Sequence, residues 1–415
     1  MFPNPKTLVV FIFTLLAHVV VRSQDPVEKQ KVMIDPLNAM GGAASKYFDD
    51  VQFIPLQTTK ESLFGRIDQL FVTPEYYVIL DKDTEAVLFF NKDGSFHHKV
   101  NRLKFDRVFR TGSNEGQRRS IISSISIAAT GDRFYVRSVF EPNVLYVYSF
   151  DGERVGKIML PRYTQDYFQL KNGYFVCKQL RPYSEKRINE FVPFDISIVK
   201  DSLSAPGFYL PVNFRNATLL DDLSMHMNYF NRGPVDSVCL YSPDFSYTLY
   251  QLDAGGIQKE IEILLPKDLS IPLNFDTDSI YKGKRQEWLK GKSLVHCIWA
   301  ASFVKNYLLM DLRMTNPAAV TLLYSPQSGR LITLDKIAAD IKTAYLPVST
   351  GSRSEMLFSD HENIYFSVPS VAMFAAKEAA RDKHPVYPAL LENYFNTQDR
   401  KSNPVLLQLR PKSNL

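Results

Sequence analysis

Cysteine is scarce: only Cys177, Cys239 and Cys297 occur among 415 residues. An odd count cannot pair completely within one chain, so no disulfide framework is expected to hold this fold together. Each Cys sits in an apolar run, "GYFVCKQL", "DSVCLYS" or "LVHCIWAA", and reads as a small buried filler at a related position in successive units. One pairing between two of them stays open but is not expected. Catalytic signatures are missing as well, with no GxSxG elbow, HExxH, phosphate-binding glycine loop or CxxC. Long basic runs are absent and the formal charge is only +5, which gives nucleic acid or an anionic membrane surface no electrostatic hold. Tryptophan is rare, at 2 residues against 22 Tyr and 29 Phe. Tyr and Phe at that density favour strands, where they pack on a pleated, half-buried surface.

Long hydrophobic runs are confined to the beginning, "LVVFIFTLLAHVVV" (8–21), with Lys6 before it and "VRSQ" after it. The run is too short to span a bilayer comfortably and has the layout of a signal peptide cut after Ser23. Residues 1–23 are therefore expected to direct export to the periplasm, the cell surface or the exterior, leaving no transmembrane helix in the mature chain. No Cys follows the run, so a lipid anchor on an N-terminal cysteine is not expected. Residues 24–50 are polar and read as an N-terminal linker, with 51–415 as the folded body.

What is present is repetition. Residues 76–100 overlay 134–158 without a gap: Tyr77 meets Tyr135, Val78 meets Val136, Asp93-Gly94 meets Asp151-Gly152, and Lys99 meets Lys157. Each unit reads as strand, short polar turn, strand, Asp-Gly hairpin, strand. Asp-Gly suits hairpins because turns that match strand twist need positive φ. Fainter echoes follow at 194–203, 247–261, 320–334 and 404–412. Six four-stranded units at such spacing are the mark of an all-β, six-bladed propeller. The stretch "VAMFAAKEAARDKHPVYPALLENYFNTQDRKS" (371–402) has helical spacing interrupted at Pro385 and Pro388, and is expected to be a helical insertion in the last blade. "VQFIPL" (51–56) is expected to pair with that blade and close the ring, leaving no long exposed edge.

The segment "FIPLQTTKESLFGRIDQLFVTPEYYVILDKDTEAVLFFNKDGSF" (53–96) resembles the opening blade of a six-bladed β-propeller family common in exported proteins of Bacteroidetes. The Ala/Glu/Lys-rich insertion followed by "NPVLLQLRPK" resembles its closing blade. Where members carry a "GxGPGEY"-like loop, this chain has "TGSNEGQRRS" (111–120), keeping Gly112 and Gly116 but losing the proline and the aromatic. The family is largely uncharacterised, so the resemblance implies fold and export, with ligand or partner binding at the envelope as a weaker expectation.

Candidate chemistry is sparse. Asp81, Asp83, Asp93, Asp151 and Asp253 fall in turns, where Asp normally serves backbone hydrogen bonding. His97 and His98 are strand neighbours that point apart unless a bulge intervenes. Met225, His226 and Met227 offer soft ligands that strand alternation would separate, and His296 diverges from Cys297. "NAT" (216–218) is a glycosylation sequon only in a host that uses it. The stronger pattern is basic and aromatic residues in loops: Arg118, Arg119, Arg137, Arg181, Tyr183 and Arg187, with Trp288 in another long connection. Arg and aromatic rings recognise carboxylates and sugars by forked hydrogen bonds and stacking. The expectation is a monomeric, non-catalytic propeller that binds a protein or carbohydrate, without cofactor or metal. The alternative is a metal-dependent hydrolase or lyase with its site in the central channel.

Overall fold

The computed structural model describes residues 27–101, 103–106, 121–182, 185–200, 204–213, 229–314, 319–348 and 356–415. The proposed signal peptide, residues 1–23, lies outside them. Six antiparallel four-stranded units form the blades of a β-propeller. From innermost to outermost, blade one is Gln69–Val72, Tyr76–Asp81, Ala86–Asn91 and Phe96–Val100. Blade two is Ile122–Ile127, Arg133–Ser138, Val144–Ser149 and Arg154–Met159. Blade three is Thr164–Gln169, Phe175–Gln179, Phe194–Val199 and Gly207–Pro211. Blade four is Phe230–Arg232, Cys239–Tyr241, Thr248–Asp253 and Gly256–Leu264. Blade five is Val295–Val304, Tyr307–Met314, Ala319–Tyr324 and Leu331–Ala338. Blade six is Phe358–Ser359, Ile364–Val368 and Val405–Pro411, completed by Phe48–Pro55 from the start of the chain.

Apolar residues on both faces of each blade fill the gaps between blades. In Tyr76–Asp81, Tyr77 and Ile79 pack toward blade six, while Val78 and Leu80 pack toward blade two. Strand alternation thus supplies two adjacent cores from one segment. The Asp-Gly hairpins join the third strand to the outermost one, as the repeat implies. Gly94 has φ +84°, and a Cβ there would meet the Pro55 carbonyl oxygen at 2.2 Å. The turn therefore needs glycine both for its backbone and for its contact with the closing strand. Phe48–Pro55 pairs antiparallel with Val405–Pro411, Leu406 facing Ile54 and Leu407 facing Phe53, so the ring closes as expected.

The segment read as a linker is instead structural. Glu28–Met33 adds a parallel fifth strand to the outer edge of blade four, and Met40–Ala43 does the same for blade five. Its polarity misled the reading because an added edge strand shows most of its side chains to water, and only Val32 of Glu28–Met33 is buried. Lys29 and Lys31 reach Glu260 and Glu262, and Glu28 meets Lys259, all at the surface. Gly41 is required here, since a Cβ would meet Lys336 Cβ at 2.4 Å and its carbonyl oxygen at 2.5 Å. The expected insertion is present as the helices Ser370–Ala379 and Ala389–Thr397, between the second and third strands of blade six. All three cysteines are buried free thiols. Cys177 and Cys239 occupy second strands, but Cys297 lies in an innermost strand, so the three positions are not all equivalent.

Candidate functional site

Turns between first and second strands, and between third and outermost strands, share one end of the propeller. Connections between second and third strands, and from blade to blade, share the other. Two of the turn aspartates named above do backbone work at the first end: Asp93 accepts from Ser95 N at 2.9 Å and Asp253 from Gly255 N at 2.7 Å. A bulge between Phe89 and Phe90 makes His97 the extra residue, and Val155 is extra at the matching place in blade two. The alternation that would separate the two histidines is lost there, and their rings lie 4.8 Å apart. His97 stacks on Tyr76, whereas His98 stacks on Phe89 and bonds the Phe150 carbonyl through Nε2 at 2.7 Å.

The loop-bearing end contains a buried polar network centred on blades three and four. Lys178 is fully buried, and its Nζ donates to Asp195 Oδ1 at 2.8 Å and to the Gln179 carbonyl at 3.1 Å. Asp195 also accepts from Tyr241 Oη at 3.1 Å and Arg181 Nη2 at 3.4 Å. Burial alone would raise the Asp195 carboxyl, but the Lys178 and Arg181 charges outweigh it and hold the group well below the usual range. Arg181 forks onto Asp276, with Nη1 at 2.8 Å from Oδ1 and Nη2 at 3.2 Å from Oδ2. Asp276 belongs to the long connection 265–294 between blades four and five. That connection is pinned again by Arg285, fully buried, which donates to the carbonyls of Phe275 (2.7 Å), Asp276 (2.9 Å) and Asp278 (3.3 Å).

A second branch starts at Arg137, which lies in the second strand of blade two and not in the loop expected for it. Arg137 donates to the carbonyls of Pro142 at 2.6 Å, Gln165 at 2.7 Å and Thr164 at 2.5 Å, tying blade two to blade three. Gln165 Nε2 donates to Tyr229 Oη, which donates to Asp244 Oδ2 at 2.9 Å. Asp166 accepts the backbone N–H groups of Tyr167 and Tyr229. Burial pushes its carboxyl up to about 6, against the opposing pull of Arg137. Among the described residues, no group of three or more His, Cys, Asp and Glu is arranged to hold a metal ion.

Three of the residues singled out from the sequence therefore fall in one sector. Arg137 and Arg181 are buried and hydrogen-bonded, and Trp288 packs at 5.0 Å from Phe275, the neighbour of Asp276. Lys292 lies 3.2 Å above the Trp288 ring. Arg187 pairs with Glu190 at the surface. Arg118, Arg119 and Tyr183 lie outside the described residues, as do Gly112, Gly116, the sequon and the Met225–Met227 stretch. Sequence reasoning missed Lys178, Asp195, Tyr229, Asp244, Asp276 and Arg285. The legible signal was a lysine inside the apolar run "FVCKQL" and an aspartate inside "FDISIV", charges where a doubly buried strand should carry none.

At the opposite end, Asp236 in a turn of blade four accepts from Lys171 of blade three at 3.1 Å and contacts His361 of blade six at 2.8 Å. Those two partners hold its carboxyl below the usual range, His361 more strongly.

Comparison with known proteins gives the same architecture. A solved structure of a protein from Bacteroides fragilis NCTC 9343, assigned as exported, superposes with a TM-score of 0.63 at 15% identity, covering 92% of this chain and 100% of that one. A member of the duf4221 family from Bacteroides vulgatus ATCC 8482 gives 0.48 at 10% identity, covering 88% and 97%. No curated protein matches the sequence. No helix among the described residues is long and apolar enough to cross a membrane. The model of one family, described as a domain of unknown function (DUF4934), matches residues 34–409, and the chain belongs to that family.

Proposed function

We propose that this protein is an exported, non-catalytic six-bladed propeller that binds a protein partner or glycan-like ligand at the cell envelope through its loop-bearing end. The observation that carries the reading is the buried ion network that fixes the 265–294 connection. Burying an ion costs several kcal/mol even in a relaxed protein interior, and a good partner offsets rather than removes that cost. Here the cost falls where the blades stop resembling one another. Loops ordered before binding lose less conformational entropy on contact, so a fixed loop face favours recognition. In this reading Arg137, Arg181 and Trp288 hold the face in shape, and Arg118, Arg119 and Tyr183 supply contact groups. The signal-like start of the chain supports export, as does the assignment of the Bacteroides fragilis neighbour.

The test presents purified protein to a glycan array and to cross-linking with envelope fractions. The expected result is saturable binding that is insensitive to EDTA and lost in R118A/R119A. Absence of saturable binding, or turnover of lactone or glycoside substrates that EDTA abolishes, overturns the reading in favour of a channel hydrolase.

A further inference from the structure

The end of the Ser370–Ala379 helix and the segment after it line an open hollow of about 290 Å³, formed by Lys377, Glu378, Arg381, Pro385 and Tyr387. A water molecule takes about 30 Å³ of liquid, so the hollow has room for one sugar ring or one amino acid. Tyr387 is its one aromatic lining residue, backed by the core: its ring lies 5.0 Å from Phe395, which in turn lies 5.3 Å from Phe374. Lys377 Nζ rests 4.7 Å over the Phe395 ring. Arg381 meets Glu378 only at 3.7 Å, and both side chains are largely exposed. The Tyr387 hydroxyl is buried with no hydrogen-bond partner among the described residues. Burial also pushes its phenol up from the ordinary tyrosine value. The hollow thus has two cations in loose contacts against one carboxylate.

We propose that this hollow binds the carboxylate of a compact organic anion, a sugar acid or an acidic amino acid. The carboxylate would take the forked donors of Arg381 and the ammonium of Lys377. Glu378 would accept from the ligand's hydroxyl or amino groups, while Pro385 and Tyr387 face its apolar side. The Tyr387 oxygen is sealed from water, so it is the ring and not the hydroxyl that meets the ligand. The inference names a ligand chemistry for the binding reading and rests on it, yet the two fail separately. R118A/R119A tests the loop face, and K377M/R381M tests the hollow.

The experiment titrates the full chain with glucuronate, glutamate and glucose by calorimetry, and follows tyrosine near-UV dichroism in parallel. The expected dissociation constant for an acid is on the order of 1 mM, with glucose at least about tenfold weaker. K377M/R381M weakens the acid by about tenfold or more with an unchanged far-UV spectrum, and Tyr387→Phe removes the near-UV change. Preference for glucuronate assigns a sugar acid, and preference for glutamate assigns an amino acid. Failure of both acids to bind at about 50 mM, equal binding of glucose, or undiminished binding by the double variant overturns the proposal. The wild-type titration alone decides the matter if the variant does not fold.

Discussion

The boundary between blades one and two and the boundary between blades three and four solve one packing problem with different chemistry. The first is filled by Val78, Leu80, Phe89, Phe134, Tyr146 and Tyr148, among others. Phe134 stacks on Tyr148 at 5.5 Å, and Phe89 meets Phe134 edge-on at 5.9 Å. The buried polar atoms within it are neutral: Tyr148 Oη donates to the Lys104 carbonyl and accepts the Lys104 N–H, and Gln69 accepts the Ile125 N–H. The second boundary has an apolar layer too, including Val176, Ile196, Ile198 and Leu252, but Lys178, Asp195 and Arg181 sit beside it. An apolar layer tolerates small misfits at modest cost. A buried ion layer holds only while every partner stays in place. The contrast separates a boundary built for cohesion from one built to fix a loop.

Removing one ion should break the comparison most sharply. Asp195→Ala leaves the buried Lys178 without its carboxylate, while Arg181 keeps Asp276, and is expected to destabilise by about 3–5 kcal/mol in denaturant unfolding. The double variant K178M/D195L should recover most of that loss. Next comes Asp276→Ala, expected to cost about 2–3 kcal/mol through the lost charged hydrogen bonds of Arg181 and to raise protease cleavage within 265–294 more than elsewhere. Tyr148→Phe, at the apolar boundary, should cost only about 1 kcal/mol, the scale of a lost hydrogen bond. Smallest is Lys31→Ala on the outer strap, within about 0.5 kcal/mol of wild type, because exposed ion pairs contribute little.

Acidity sharpens the same contrast with two opposite signs. Asp195 has a depressed carboxyl, so its contribution to stability is present above the ordinary carboxylate range and fades as pH falls through and below that range. Asp166 is raised to about 6, so its neutral form favours the fold at low pH and that advantage is lost as pH rises toward 6. Asp166→Asn should therefore melt progressively higher, relative to wild type, between about pH 4 and pH 6, and then track it in parallel. A melting difference that stays flat over that window would show that Asp166 does not titrate as its burial implies.

Local chemistry made much of the fold readable. Asp-Gly turns and doubly apolar strands are written in contiguous residues, so blades one and two, the closing strand and the helical insertion could be read directly. The strap at 28–43 could not, because parallel pairing at an outer edge needs no turn signal and leaves the strand polar. The network was half readable. Lys178 and Asp195 stand out as charges in apolar strands, but Arg181 finds Asp276 across 95 residues, and no local pattern announces that meeting. Arg137 drew notice as a loop cation, although its donors are directed at backbone carbonyls.

The strap also sets an order of events. Glu28–Met33 waits for Gly256–Leu264, Met40–Ala43 for Leu331–Ala338, and Phe48–Pro55 for Val405–Pro411. The earlier a strand lies in this strap, the sooner its partner is made, and Phe48–Pro55 waits longest. Contacts so distant in sequence slow folding, since the chain must close its longest loop before they yield anything. A chain still threading through a narrow pore keeps Phe48–Pro55 unpaired until Val405–Pro411 emerges, and only then does blade six lock the ring.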